Sequence, residues 1–311
     1  MIPVFCNKIT KFRQLNNVNI KNNSMLDFKQ HSLFRKMDVD SVLSATFKLY
    51  VKNFKILFLY SFIALLFVQA INYYVGLGEV FKNIDPENVQ SVLKGLGGKI
   101  TILMIVSFSV YALLNAFFIN FLYKTDIDKN VKHSDIFSET VKKYFLHMLF
   151  FIIVSTVMFT IGMVAGVIVF IIGMLAAALY LATILIPGGT ILVVEEKNAF
   201  ETIGRSFQLA HKDFWPALGC VVLYVIIMIL ISLVITAIVA IPFIFIFIGN
   251  FSDTQSFFDI FNPENFEFGV WIIVFNALVS AITFPITAIF SIVLYFKLRY
   301  KEEQGKIEIT Q

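Results

Sequence analysis

Long runs of apolar residues alternate along this chain with segments that carry all of its charge. Five stretches contain no Asp, Glu, Lys or Arg: Ile56–Val75, Ile100–Tyr123, Tyr144–Val194, Pro216–Asn250 and Val270–Phe296. An α-helix rises about 1.5 Å per residue, so about 20 residues cross a hydrocarbon core about 30 Å thick. Each stretch is therefore long enough to cross a membrane as a helix.

Two of these stretches are too long for one upright crossing. The run over 144–194 must fold back, which predicts two spans joined by a turn near Gly162–Gly173. The run over 216–250 contains Pro242, which cannot donate to the helical ladder. We expect that span to reach about Ala240, with Ile241–Gly249 as either a kinked continuation or an interfacial segment. The pattern predicts an all-α polytopic membrane protein with six transmembrane helices.

The basic residues are distributed unevenly between the two sides of these spans. Of the 25 Lys and Arg residues, 22 lie in four segments: 1–55, 124–143, 195–215 and 297–311. Because Lys and Arg accumulate on the cytoplasmic side of membrane proteins, both termini are expected to be cytoplasmic. The predicted location is the cytoplasmic (inner) membrane of a bacterium, with several passes.

The charged ends of the chain suggest a simple domain organisation. Residues 1–37 are rich in Asn and Lys with little periodicity, which favours a disordered tail. Residues 38–303 form the six-helix membrane domain, and 304–311 a cytoplasmic C-terminal tail. Met37 precedes helix-capping residues and resembles a natural start. Met1, Met25 and Met37 all remain open as the start.

A short helical pattern with basic flanks recurs before the apolar stretches. The first copy has Leu43, Phe47, Tyr50 and Phe54, the second Ile203, Phe207, Ala210 and Phe214, and a weaker third Phe137, Val141, Tyr144 and Met148. This spacing predicts two or three interfacial amphipathic helices, each followed by a turn into the membrane. Their predicted contacts with anionic lipid headgroups are Lys48, Lys52, Arg205 and Lys212. The alternative is that these segments are the ordinary starts of long spans.

Three short motifs carry a family resemblance: "AFETIGRSFQLAHKDFWPALG" at 199–219, "D-x-x-L-S-x-T-F" at 40–47 and "LYFKLRYKEE" at 294–303. Together they resemble bacterial integral membrane proteins of the glycerophosphoryl diester phosphodiesterase membrane-domain-like group. The resemblance implies a six-helix membrane unit over 38–303. It does not imply phosphodiesterase activity, because the barrel and its His-Arg signature are absent from the sequence.

Residues suited to catalysis or metal binding are sparse. No G-x-S-x-G, P-loop or H-E-x-x-H motif is present, and neither a catalytic residue nor a metal or cofactor site is predicted. His147 lies within an apolar stretch. We expect it to lie at the depth of the membrane interface rather than to act as a proton relay. His133 lies near Asp126, Asp128 and Asp135, a group that fits a solvated loop better than a cation site.

Small and polar residues within the spans favour helix packing. Asn276 and Thr283 share a helix face and could line a cavity, but interhelical hydrogen bonds are the favoured interpretation. Gly162 and Gly166 predict close packing of the third span against the fourth rather than dimerisation. The "PGGT" motif at 187–190 predicts a helix stop.

These observations favour a protein that is not an enzyme and that acts as a membrane scaffold or assembly factor. Its expected partners are anionic lipids and an unknown protein, without nucleic acid. The alternative is a transporter or lipid-handling permease, in which Pro187, Pro242 and Pro285 mark broken helices around a site. An intramembrane enzyme ranks third.

Overall fold

The chain is an all-α polytopic membrane protein. A computed structural model describes residues 28–74, 89–168, 170–249 and 266–309, and these residues contain no strand. Their helices are α1 Val39–Tyr74, α2 Val89–Ile127, α3 His133–Glu139, α4 Phe145–Val167, α5 Phe170–Leu185, α6 Gly188–Val194, α7 Ala199–His211, α8 Phe214–Gly249 and α9 Phe266–Ile309. Six of the described segments are long and apolar enough to cross a membrane, as predicted.

The longest apolar stretch folds back into the α4–α5 hairpin. Its turn lies after Val167, within the predicted interval. At Gly166, a Cβ atom would lie 2.7 Å from the Gly173 carbonyl oxygen and 2.7 Å from the Met174 Cα atom, so the two backbones approach as only glycine permits. A Cβ atom at Gly162 would meet the Leu181 side chain. The predicted packing of the third span against the fourth is confirmed.

The "PGGT" motif ends α5 and begins a short buried helix. Helix α5 stops at Leu185, a turn at 186–187 follows, and all seven residues of α6 are buried. A Cβ atom at Gly188 would collide with the Phe151 ring, so this glycine lets α6 approach α4 closely. The Ser291 hydroxyl of α9 donates to the Ile186 carbonyl oxygen at 2.7 Å. The predicted helix stop is confirmed, and the buried helix behind it is an addition from the structure.

Helix α9 forms the centre of the bundle. In its most apolar 18-residue window 61% of the residues are buried, against 11% for the span that contains α4. Helix α1 packs along α9, where the Tyr50 hydroxyl donates to the Ile282 carbonyl oxygen at 2.8 Å. Pro285, inside α9, has no N–H to donate to the Ala281 carbonyl, so the helical ladder is incomplete one residue before Ile282. The last span therefore acts as the core against which α1, α2, α6 and α8 pack.

The repeated pattern predicts a turn after each copy, and of the first two copies only the second is followed by one. Helix α1 continues from Val39 to Tyr74, so no turn separates the first copy from its span. The expected turn is absent because Val42, Ala45 and Thr46 are buried, which holds the segment in line with the bundle. The second copy is a separate helix, α7, and a turn at 212–213 precedes α8. Residues 241–249 continue α8 as a helix.

The third copy and the chain ends also depart from the sequence expectations. The third copy runs through α3 and a π-helical turn over Thr140–Tyr144 into α4. Residues 28–37, assigned by sequence to a disordered tail, pack against the bundle with Phe28, His31, Leu33 and Met37 buried. The rest of that tail lies outside the described residues. Residues 304–309 belong to α9.

Candidate functional site

Four polar segments of the chain meet at one end of the bundle, and we call this region the polar end. It comprises residues 28–37, 124–143, 195–213 and 297–309. The Ser32 amide donates to Asp126 Oδ2 at 2.7 Å, and Lys143 Nζ lies 2.5 Å from Glu196 Oε1. The segments that the sequence assigned to one side of the membrane are thus brought together in space.

A cluster of four charged side chains lies at the middle of the polar end. This ion-pair cluster consists of Glu195, Arg205, Arg299 and Glu302, each with a side chain no more than 15% exposed. Arg205 donates through Nη1 to Glu302 Oε1 at 2.8 Å and through Nη2 to Glu302 Oε2 at 2.5 Å. Its Nε atom donates to Glu195 Oε2 at 3.1 Å. Such two-pronged pairs are among the strongest ion pairs in proteins.

Arg299 connects the ion-pair cluster to the N-terminal segment. Its Nη1 atom donates to Glu302 on the same helix, and its Nε atom lies 3.7 Å from Glu195 Oε1. The guanidinium carbon is 4.7 Å from the centre of the Phe28 ring, a cation–π distance. The Tyr295 hydroxyl also donates to Glu195 Oε1 at 3.2 Å. One cluster therefore joins α7, α9, the segment before α7 and the N-terminal segment.

The charges of the ion-pair cluster are suited to holding structure. Hydrogen bonding to the Glu302 carboxylate raises the pKa of Arg205 above its ordinary value, against the opposing effect of burial. This guanidinium therefore remains protonated throughout the physiological range. The cluster is a fixed set of alternating charges, which fastens helices together and does not exchange protons through Arg205.

The four predicted headgroup contacts occupy different environments. Lys48 and Lys52 are exposed on α1, and Lys212 is 48% exposed while its Nζ atom lies 3.7 Å from Glu302 Oε1. Arg205 is only 12% exposed and is held by two carboxylates, so the structure does not place it where a headgroup contact requires. Local sequence could not reveal this, since Glu302 lies 97 residues along the chain.

His31 and Asp126 form a second polar contact that the sequence did not predict. The His31 ring stacks on Phe296 with ring centroids 4.3 Å apart, and its Nδ1 atom accepts from the Leu33 amide at 3.2 Å. Asp126 Oδ2 lies 3.4 Å from the same nitrogen. Burial lowers the pKa of His31 to about 4, although the Asp126 carboxylate acts in the opposite direction. In the sequence, the aromatic and aliphatic residues of "FKQHSLF" at 28–34 indicated that this segment could pack against the bundle.

A cavity of about 530 Å³ opens at the polar end between α1, α8 and α9. Four of its lining residues lie on one face of α9, at positions i, i+3, i+4 and i+7: Lys297, Tyr300, Lys301 and Gln304. The other lining residues are Lys36, Met37, Asp38, Val39, Asp213 and Pro216. At its wall, Lys297 Nζ lies 2.5 Å from Asp213 Oδ2 and its side chain is 5% exposed.

The remaining sequence candidates are not brought together. His147 is exposed on α4, and Asn276 is exposed on α9. The Thr283 hydroxyl donates to the Val279 carbonyl oxygen of its own helix at 3.0 Å. Within the described ranges, no group of three or more His, Cys, Asp and Glu side chains is placed to hold a metal ion.

Comparison with known proteins identifies no match for this chain among family models, curated proteins or solved structures. Its function therefore has to be inferred from its own residues and contacts.

Proposed function

We propose that this chain is a scaffold or assembly factor of the bacterial cytoplasmic membrane and not an enzyme. The observation that carries the proposal is the contrast between a tightly fastened polar end and a hairpin that extends into the membrane with little cover. A scaffold needs a fixed base and a free lateral surface, and these two features supply both.

The α4–α5 hairpin supplies the lateral surface. On α5, the side chains of Ile171 and Ile172 are 79% and 81% exposed, and on α4 that of Val164 is 65% exposed. In a bilayer such a surface contacts either lipid tails or the helices of another protein. Close helix contact in membranes depends on packing and on small residues, and not on the hydrophobic effect. A partner helix can therefore replace lipid at these apolar side chains without breaking a hydrogen bond.

The polar end supplies the fixed base. Its ion pairs join segments that are far apart in sequence, as in the Arg205–Glu302 pair, and its buried carboxylates are satisfied by Arg donors. Charges arranged in this way hold the helices in register while the hairpin surface remains free.

Site-specific photocrosslinking in native membranes tests the scaffold proposal. A photoreactive residue at Ile172 is expected to give one discrete protein adduct, while the same residue at buried Ile191 is the control and gives none. Mass spectrometry then identifies the partner. If Ile172 and Val164 yield only lipid adducts, the scaffold proposal is wrong.

We also propose that the polar end faces the cytoplasm, because the basic residues gather there as the positive-inside rule requires. A cysteine at exposed Lys129, in a variant with Cys6 changed to serine, tests this orientation. A membrane-impermeant maleimide should label it in broken cells and leave it unlabelled in intact cells. Labelling in intact cells would reverse the orientation.

A second candidate, the lipid-handling permease, is favoured by the cavity at the polar end. This cavity is bordered by helices whose apolar stretches begin or end beside it, as at Pro216 on α8. Vesicles that contain the purified protein would then move a labelled lipid between leaflets faster than empty vesicles. Equal rates would remove the permease candidate. The resemblance to the phosphodiesterase membrane-domain group fits either function.

A further inference from the structure

We infer that the cavity at the polar end binds the phosphate-bearing headgroup of an anionic lipid. This inference is independent of the scaffold proposal, since a lipid can occupy the cavity whether or not a protein partner is bound.

The position of the cavity fits a headgroup. Lys297 directly follows the charge-free stretch of α9, and Pro216 begins that of α8. Both walls of the cavity thus lie where the membrane-spanning stretches meet the polar segments. Lipid phosphates occupy this depth, so a lipid could place its headgroup in the cavity and its tails along the apolar surface. The volume of about 530 Å³ is within the range of about 300–1,000 Å³ that is usual for ligand pockets.

The charges of the cavity favour a phosphate. Lys36 and Lys301 are exposed at its opening, and neither lies within 4.0 Å of a carboxylate among the described residues. The third lysine, Lys297, is neutralised by Asp213. Two ammonium groups therefore remain available to an anion, against one further carboxylate, that of Asp38, and Lys is a common phosphate-binding residue.

The helix ends beside the cavity add little to this attraction. Helices α1 and α8 begin there, at Val39 and Phe214, but Asp38 and Asp213 directly precede them and already complement the positive ends of their dipoles. Asp38 and Gln304 also line the cavity and can accept hydrogen bonds from hydroxyl groups. The arrangement suits a headgroup that combines one phosphate with hydroxyls, such as the glycerol headgroup of phosphatidylglycerol.

Native mass spectrometry of the full-length protein in detergent tests the inference with defined lipids. Phosphatidylglycerol is expected to bind at least about 10-fold more tightly than phosphatidylcholine of the same chain length, because the latter carries no net charge. The double variant Lys36→Gln/Lys301→Gln should weaken phosphatidylglycerol binding by about 30-fold, since each lysine contributes about 1 kcal/mol near such a surface.

The matched control is Lys129→Gln/Lys132→Gln, which removes two exposed lysines between α2 and α3 that do not line the cavity. It should leave binding within about twofold of the unaltered protein, because surface substitutions away from the ligand have small effects. An equal loss in both double variants would show general surface attraction and would overturn the cavity assignment. Equal binding of the two lipids would overturn it as well.

A competition arm separates a lipid from a soluble phosphate. Glycerol 3-phosphate and inorganic phosphate, at the concentration of the lipid, should leave the lipid adduct in place because they lack apolar tails. Displacement at that concentration would assign the cavity to a soluble phosphate and overturn the lipid as its source. The single variant Lys36→Gln repeats the measurement if the double variant unfolds, with a smaller expected loss of about fivefold.

Discussion

Arg205 and Glu302 lie 97 residues apart and form a two-pronged ion pair, with Nη1–Oε1 and Nη2–Oε2 distances of 2.8 and 2.5 Å. The pair joins α7, which precedes the fifth span, to the last turns of α9. Since α9 is the most buried span, this contact fixes the polar end to the centre of the bundle. Because both side chains are largely removed from solvent, the loss of either partner leaves an uncompensated charge.

The Arg205→Gln variant should therefore be less stable by about 3 kcal/mol. Arg205→Lys should recover only part of this loss, because an ammonium group cannot bond both carboxylate oxygens in the same plane. Unfolding of the purified protein in mixed micelles measures both changes. Lys48→Gln is the control and should alter stability by less than about 0.5 kcal/mol. If Arg205→Lys is as stable as the unaltered protein, the two-pronged geometry has no energetic role.

The Lys297–Asp213 pair predicts strong non-additivity. Lys297→Met should destabilise the protein by about 3 kcal/mol, because it leaves the Asp213 carboxylate without its partner 2.5 Å away. Combining it with Asp213→Asn should restore much of the lost stability, since the second change removes that unpaired charge. A double-mutant cycle under the same unfolding conditions measures this coupling. Purely additive effects would mean that the two groups do not interact.

Stability should fall in acid through His31. Its pKa is about 4 in the folded protein and 6.5 when unfolded, so between these values the unfolded chain binds more protons. Stability is therefore highest above pH 6.5 and decreases as pH falls towards 4, by about 3 kcal/mol in all. The stability difference between the unaltered protein and His31→Gln should shrink over this window. A difference that stays constant from pH 7.5 to pH 4.5 would contradict the prediction.

The glycines of the α4–α5 hairpin should differ sharply in their tolerance of alanine. At Gly166 the added Cβ would meet main-chain atoms of Gly173 and Met174, which cannot move aside as a side chain can. Gly166→Ala should therefore cost about 2 kcal/mol, within the range of overpacking. Gly162→Ala should cost less, because Leu181 can change rotamer.

Gly204→Ala provides the control for these two variants. Gly204 lies inside α7, and a Cβ atom added there would meet nothing within 4 Å beyond the backbone of its own helix, so alanine should be neutral or slightly stabilising. Apparent melting temperatures of the three variants should follow the order Gly204, Gly162, Gly166, from highest to lowest. A reversed order would place the close contact elsewhere.

Removal of residues 25–36 should weaken the polar end. A chain that begins at Met37 lacks Phe28, which lies over the Arg299 guanidinium, and His31, which stacks on Phe296. We expect its melting temperature to fall by several degrees relative to a chain that begins at Met25. Equal melting temperatures for the two truncated proteins would show that this segment adds no stability.

The sequence by itself determined the membrane-spanning plan of this protein. Apolar stretches that exceed the thickness of a bilayer must cross or fold back, so six spans and the α4–α5 hairpin followed from length and charge. The glycine spacing and the "PGGT" stop could also be predicted, since both depend on the backbone freedom of residues close together in the chain.

Tertiary structure alone decided which polar groups meet. Glu302, which pairs with Arg205, and Asp213, which pairs with Lys297, are 97 and 84 residues away along the chain, and no local pattern encodes their distance in space. The same applies to residues 28–37, which looked disordered by composition and are ordered by packing on α9. Periodicity reports which face of a helix is apolar, whereas the neighbour that covers that face depends on how all the helices pack together.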